Sequence, residues 1–278
     1  MAVRLHLLTA GFCTQMERVS RRGGAWRPIT FPSAVGVVRH PSRGVILFDA
    51  GYAPRFHTET AHWPNALYRH ALPVTCTPED AAATQLSAAG IDPAEVAIVV
   101  VSHFHADHIG GLRDFPNARF VYSRHALDAA WRQRSAWASV RHGLIRGLLP
   151  DNLERRSDVV EALPRVTTPL GEGVDLLGDG SLVAVHLGGH THGHLGAFVE
   201  DTQGPPVLLA GDAVWTDRAF THAELPHSVV RLVTADWPGY RDRIAALAKL
   251  HRERPDLLIV PSHCVPSLER AKAELGTL

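Results

Sequence analysis

Ser102-His103-Phe104-His105-Ala106-Asp107-His108-Ile109-Gly110-Gly111 packs three histidines and one aspartate between positions 103 and 108. The run follows Ala97 to Val101, a continuous, mostly β-branched stretch that reads as a fully buried strand. His103 and His105 are two apart, so in extended chain they project to the same side and can share one metal ion. Asp107 and His108 come where the chain turns toward Gly110. One ion cannot easily take all four donors from so short a segment, whereas two neighbouring ions can. A lone His-x-His would be weak evidence in a chain with 18 histidines. His-x-His-x-Asp-His between a buried strand and a Gly-Gly pair is far more specific. The competing reading is a capped turn, with Asp107 capping the next helix and the histidines exposed.

Upstream of this run, Val3 to Leu8 reads as a short strand. Ala34 to Arg39 and Val45 to Phe48 flank the turn His40-Pro41-Ser42-Arg43-Gly44 as a hairpin, whose second strand ends in Asp49-Ala50-Gly51. Tyr52 to Cys76, rich in Pro, His and aromatics, reads as a long ordered loop of the kind that is often functional. Thr77-Pro78-Glu79-Asp80 opens a helix with a capping box and Pro in its first turn, and Gly90 stops it. Downstream, Arg119 to Tyr122 is a strand and a helix begins near Ser123. Leu127 to Val160 reads as helical and rich in arginine, either a lid over a substrate or an amphipathic helical pair with solvated charges; charge runs of this kind usually face water. Strands return at Val174 to Leu177, Leu182 to His186, Gly196 to Glu200 and Val207 to Leu209. The turn Asp201-Thr202-Gln203-Gly204-Pro205-Pro206 joins the last two. Tyr240 to Leu250 is a helix, Leu257 to Val260 a final buried strand and Leu268 to Leu275 a closing helix. Strand-rich halves each finished by helices predict one layered α/β domain over 1–278, with a helical insertion at about 127–160.

The whole chain is compatible with that picture. Its 278 residues suffice for a substantial core. Basic and acidic residues balance at 28 each, so no excess charge points to nucleic acid as a partner. Cys13, Cys76 and Cys264 are far apart and form neither a zinc knuckle nor a disulfide framework, which predicts a reducing, cytoplasmic setting. Met1-Ala2-Val3-Arg4-Leu5-His6 has no charged segment followed by a long apolar one, so no signal peptide is expected. No apolar run approaches the length of a membrane span.

Residues 102–111 resemble the signature of the metallo-β-lactamase fold superfamily. That resemblance implies a four-layer αββα sandwich and further ligands in a fixed order. Gly188-Gly189-His190-Thr191-His192-Gly193-His194, Ala210-Gly211-Asp212-Ala213 and Val260-Pro261-Ser262-His263 supply them in that order, so the likeness covers nearly the whole chain. It implies that His103, His105 and His190 hold one metal, that Asp107, His108 and His263 hold the other, and that Asp212 bridges both. Asp49 fits the early aspartate that supports the metal loop from behind. The superfamily's form around the third histidine resembles Gly-His-Thr-Pro-Gly-His, and His192 stands here in place of that proline. His190 aligns as the ligand, His194 as a hydrogen-bonding support, and His192 as a substrate-facing or simply exposed residue. The nitrogen- and carboxylate-rich set suits two Zn2+ ions, with iron, manganese or cobalt as other divalent candidates. Cys264 beside His263 reads as a buried thiol.

Two ions roughly 3.5–4 Å apart can share a hydroxide, and binding lowers the pKa of water from about 15.7 toward about 7. The resemblance therefore implies a hydrolase whose nucleophile is a bridging hydroxide, with Asp107 and Asp212 as the carboxylates nearest the reaction. No Gly-x-Ser-x-Gly elbow offers a protein nucleophile. Asp212 argues against β-lactamase activity, because true β-lactamases of the superfamily generally lack the bridging aspartate. Too little chain follows His263 for the helical domain of glyoxalase II-like thioesterases. Ribonuclease Z-like nucleases would need a phosphate-binding surface. The layout is most similar to N-acyl homoserine lactonases, including the loop before Pro73-Val74-Thr75-Cys76-Thr77-Pro78-Glu79-Asp80. Those enzymes carry a tyrosine three residues after the bridging aspartate, where this chain has Trp215; an indole can donate a hydrogen bond but cannot act as a general acid. The expected substrate is a small lactone, carboxylic ester or thioester, handled by a monomer or homodimer away from membranes. Phosphodiester hydrolysis at the same centre, or a weakly catalytic metal-dependent binding protein, are the alternatives. Trp215, Phe12, Met16 and His192 are pocket candidates, with Trp26, Phe31, Trp63 and Tyr68 as further aromatics that can line an acyl pocket.

Overall fold

The computed structural model describes residues 2–133, 135–200 and 202–278. Met1, Arg134 within the 127–160 insertion, and Asp201 in the turn expected before the strand at Val207 lie outside the described residues. Two sheets form the centre. The first contains β1 (Arg4–Met16), β2 (Pro28–His40), β3 (Gly44–Phe48), β4 (Val74–Thr75), β5 (Val96–Val100), β6 (Arg119–Tyr122) and β7 (Ser157–Val159), in the order β4-β1-β2-β3-β5-β6-β7. The second contains β8 (Arg165–Thr168), β9 (Gly171–Asp175), β10 (Leu182–His186), β11 (Leu195–Val199), β12 (Val207–Gly211) and β13 (Leu258–Pro261), in the order β13-β12-β11-β10-β9-β8.

Side-chain alternation along the strands sorts the core into three apolar layers. Leu5, Leu7, Val38, Ile46 and Phe48 of the first sheet meet Leu182, Ala184, Ala197, Val199 and Val260 of the second between the sheets. The opposite parity, Val183, Val185, Phe198 and Leu208, packs outward against Tyr240, Ile244 and Leu247 of the helix Trp237–Glu253. Full burial of side chains of this size stabilises by roughly 1.5–3 kcal/mol each. The outer face of the first sheet is covered by the segments around Phe56, Leu86, Leu127 and Leu148. Helices therefore flank both sheets, and the fold is the four-layer αββα sandwich.

Strand direction explains where the chemistry gathers. β3, β5 and β6 run parallel to one another. β12 and β13 are parallel, and β10 runs with them because each is antiparallel to β11. Asp49, the 103–108 run, His190, Asp212 and His263 all follow the C-terminal ends of these strands. The ligand run itself is pressed onto the loop after β3. Ala50 N–H donates to the His108 carbonyl at 2.9 Å and Gly111 N–H to the Gly51 carbonyl at 3.1 Å. A Cβ at Gly110 or Gly111 would stand 2.7 and 2.5 Å from the carbonyl oxygens of Gly51 and Ala50, so only glycine permits this approach.

Several regions differ from the sequence-based expectation, beginning with β1 and β2, which run on to Met16 and start at Pro28 where strands over Val3 to Leu8 and Ala34 to Arg39 were expected. Tyr52 to Cys76 is not a plain loop: it holds the short helices Arg55–Glu59 and Ala66–Ala71 and the edge strand β4. The capping box at Thr77 and Asp80 is present, but it caps a single 3-10 turn, Pro78–Asp80. Ala81 is extended, and the α-helix starts only at Ala82. The 127–160 region, expected as a helical pair packed on the domain with solvated arginines, does expose Arg132, Arg146 and Arg155, but it is broken into short helices and 3-10 turns and includes the edge strand β7; its helix Ala136–Arg141 and the turn after it reach the ligand run, where Ala106 N–H donates to the Gly143 carbonyl at 3.0 Å.

Candidate metal centre

His103 comes three residues after the end of β5, and His105 sits at the N-cap of the one-turn helix Ala106–Ile109, which carries Asp107 and His108. The extended backbone of His105 (φ −73°, ψ 153°) swings the chain from strand to helix, and the run contributes His103 and His105 to one donor group and Asp107 and His108 to another. His190 sits in the glycine-rich turn between β10 and β11, Asp212 follows β12 and His263 follows β13. The structure brings all seven together. One donor atom each from His103, His105, His190 and Asp212 lies within 4.8 Å of the others, as do those of Asp107, His108 and His263. Asp212 stands between the groups. Its Oδ2 is 3.3 Å from His190 Nε2 and 3.9 Å from His103 Nε2. Its Oδ1 is 3.1 Å from His263 Nε2 and 3.3 Å from His108 Nε2.

Residues outside this ring set which nitrogen each histidine turns inward. Asp49 is buried, accepts Ser102 N–H and Ser102 Oγ–H at 2.8 Å each, and lies 2.6 Å from His108 Nδ1. A carboxylate at that distance favours the proton on Nδ1 and turns Nε2 toward the other donors. The Pro32 carbonyl, 2.7 Å from His263 Nδ1, does the same there, and Phe31 stacks on the His263 ring at 4.9 Å. His194, fully buried, does not join the ring of donors. Its Nε2 accepts the backbone N–H of Asp212 at 2.9 Å and so fixes the loop that carries the shared carboxylate.

The electrostatics suit cations. Burial holds His103 and His105 well below the ordinary imidazole range, and neighbouring imidazoles push the same way, so both are neutral and keep a lone pair that could bind a cation. At His108 burial opposes the charge, yet Asp49, Asp107 and Asp212 outweigh it and raise the pKa well above its usual value. Burial likewise acts against charge at His263, and Asp212 overcomes it. Burial opposes ionisation of Asp212 too, but His263 and His108 drive its carboxyl well below the usual range. His103 Nε2, His108 Nε2 and Asp212 Oδ1 are buried without a hydrogen-bond partner. Each such group costs about 1–3 kcal/mol when left unsatisfied. Three orphans converging on one point, in a set of imidazoles and carboxylates, fit a pair of divalent metal ions.

Asp107, Asp212, His105, His190 and His263 open onto a cavity of about 530 Å3. Its walls are mostly apolar, including Val19, Leu67, Leu72, Val140, Val230 and Trp215. Of the aromatic candidates, Phe31, Tyr68 and Trp215 line the cavity. Phe12 and Met16 do not; their strand neighbours Cys13 and Gln15 do. A bulge at Gly11, whose φ is +73°, shifts the alternation of β1 between Thr9 and Phe12, so the inward parity passes from Leu8 and Ala10 to Cys13 and Gln15. His192 is exposed and lines two neighbouring clefts rather than this cavity. Trp26 and Trp63 are mostly exposed, the latter packed edge-on to Trp137 at 4.9 Å. Tyr52, His142, Gly143 and Val229 also line the cavity and were not singled out by sequence. No motif marks them; only proximity in the fold does. Cys264 is buried, as expected, and its sulfur accepts Asp217 N–H at 3.2 Å.

Comparison with known proteins agrees with this geometry. The model of the metallo-beta-lactamase superfamily matches residues 29–263. The chain is 27% identical over 276 residues to an N-acyl homoserine lactonase, AttM, of Azorhizobium caulinodans, covering 97% of each chain. Among solved structures, an N-acyl homoserine lactone hydrolase with N-hexanoyl-L-homoserine bound at its catalytic metal centre matches with a TM-score of 0.71. That match is 20% identical and covers 98% of this chain and 97% of the other. AidC, a dizinc quorum-quenching lactonase, matches at 0.61 with 16% identity, over 95% of this chain and 88% of that one. At such identities the structural likeness is one of fold.

Proposed function

The chain belongs to the metallo-β-lactamase superfamily, and on that premise we propose that it is a metal-dependent hydrolase of lactones, with N-acyl homoserine lactones as the first substrates to test and carboxylic esters or thioesters as related ones. The observation that carries the proposal is the meeting of two donor groups at Asp212 on the floor of a mostly apolar cavity. His103, His105 and His190 are assigned to one ion, Asp107, His108 and His263 to the other, and Asp212 to both. Zinc is the assigned metal, since the set is imidazole and carboxylate without cysteine, and one of the structural relatives is a dizinc lactonase.

When bound, two such ions supply Lewis acidity to a carbonyl and make water acidic enough to ionise near neutral pH. The protein supplies the rest. Asp107, whose carboxylate faces both the cavity and His263 at 3.3 Å, accepts and holds the proton of the attacking water. Phe31 and Trp215 close the space above His263 and His190 against bulk water. The apolar walls suit an acyl chain.

Purified protein is expected to carry close to two metal ions per chain, to open lactone rings, and to lose that activity on chelation and regain it on metal return. Protein holding its full complement of metal yet inert toward lactones, esters and thioesters would overturn the proposal.

A further inference from the structure

The donor group of His103, His105, His190 and Asp212 borders a second space besides the apolar cavity. A cleft of about 290 Å3 adjoins it, and His105, His142, His190 and Val233 line both spaces. Its volume is near the lower end for ligand clefts, roughly 300 Å3. The two spaces differ in chemistry. Among the described residues no carboxylate side chain lines the smaller one, whereas Arg132, Thr191 and His192 do. Thr191 Oγ1 is buried without a hydrogen-bond partner, and His192, outside both donor groups, is exposed on the same wall. Other arginines of this region have partners: Arg124 faces Glu154 at 3.6 Å, and Arg146 lies over the Trp131 ring at 4.7 Å. Arg132, by contrast, has no ion pair, side-chain hydrogen bond or ring contact among the described residues. An unpaired guanidinium presents a planar fork that matches the two oxygens of a carboxylate.

We propose that this cleft is a second subsite that takes a carboxylate carried by the substrate. Arg132 pairs with the carboxylate, and Thr191 and His192 add hydrogen bonds. The scissile carbonyl lies at the metal centre and the apolar part of the molecule in the larger cavity. The inference rests on the lactone reading above and narrows it to lactones or esters that bear a free acid. A neutral compound of the same shape leaves Arg132 to water, so the acid is the better substrate.

The test uses the full-length, metal-loaded protein and two pairs of lactones: 5-oxotetrahydrofuran-2-carboxylate and 5-oxotetrahydrofuran-3-carboxylate, each with its carboxamide. Members of a pair differ in charge and hardly in shape. In at least one pair, wild type is expected to favour the acid in kcat/KM by about 10-fold, the low end for hydrogen bonds to a charged group. R132Q should remove that preference. R132K should keep part of it, because the charge stays while the fork is lost. A second measurement needs no turnover. In calorimetric titrations wild type should bind cyclopentanecarboxylate more tightly than cyclopentanecarboxamide, and R132Q should narrow the difference by about 10-fold. Equal use of acid and amide by wild type in both pairs would overturn the subsite. So would a preference that R132Q leaves intact, because the carboxylate would then be held by the metal ions. If no lactone is turned over, the lactone reading falls, and the calorimetric difference between wild type and R132Q decides the subsite by itself.

Discussion

The floor of the cavity and its walls are made from different kinds of sequence. The floor is built of loops at strand ends, each loop locked by its neighbours: Asp49 through His108, the Pro32 carbonyl through His263, and His194 through the Asp212 backbone. The walls come from short helices and connecting segments that touch the centre only in the fold, around Leu67 and Leu72, Val140 and His142, and Val229 and Val233. The floor is buried, while Val229 and Val233 of the walls are 45% and 51% exposed. A fixed, heavily supported floor suits one chemistry, and loosely constrained walls suit variation in what that chemistry acts upon.

If the contrast is correct, floor substitutions should change rate and metal content together. The largest effect is expected from D212N. It removes the charge shared by both donor groups while keeping the shape, and a fall in kcat on the order of 10³-fold, equivalent to about 4 kcal/mol, is expected. Metal analysis should show loss of stoichiometry in the same sample. D212N at wild-type rate with two ions bound would break the comparison at its strongest point. D49N is expected to be milder, because Asp49 belongs to neither donor group and acts through His108 Nδ1. Weakening of one of the two ions by about 10–100-fold, with the other retained, is the expected result of metal titration. Equal weakening of both ions would place Asp49 outside the role given to it.

The same contrast explains what could be read from the chain. His103 to His108 was readable because a strand, a turn and four donors are contiguous, and His190, Asp212 and His263 because each sits in a short, recognisable setting at a strand end. Strands that are mostly buried, such as those at 182–186 and 119–122, were also plain. Edge strands were not: β8, with its half-exposed Arg165–Thr168, and the short β4 and β7 bury too little to leave a pattern. The wall residues were hidden for two reasons. Cys13 and Gln15 enter the cavity only because a bulge at Gly11 reverses the parity of β1, and a single strand does not announce its bulge. Leu67, Val140 and Val230 are ordinary apolar residues locally, and their role exists only because distant segments converge. Helix Ala66–Ala71 and helix Ala136–Arg141 meet beside the cavity, with Trp63 and Trp137 in edge contact on the outside.

Wall substitutions should therefore separate choice of substrate from rate. Ala71 ends the helix Ala66–Ala71, lines the cavity and is exposed, so a larger side chain there fills space without displacing core. A71F is expected to leave metal content, Tm and kcat for a short-chain lactone near wild type. It should lower kcat/KM for a long-chain N-acyl lactone by about 10-fold, the scale on which apolar pockets discriminate by size. The measurement is the ratio of kcat/KM for the two substrates, since a general loss of activity would cancel from it. A fall shared equally by short and long chains would mean that the wall governs rate as the floor does. An unchanged ratio would mean that the acyl chain leaves the cavity by another side, and Val19, with Val229 and Val233, would then be the wall to alter next.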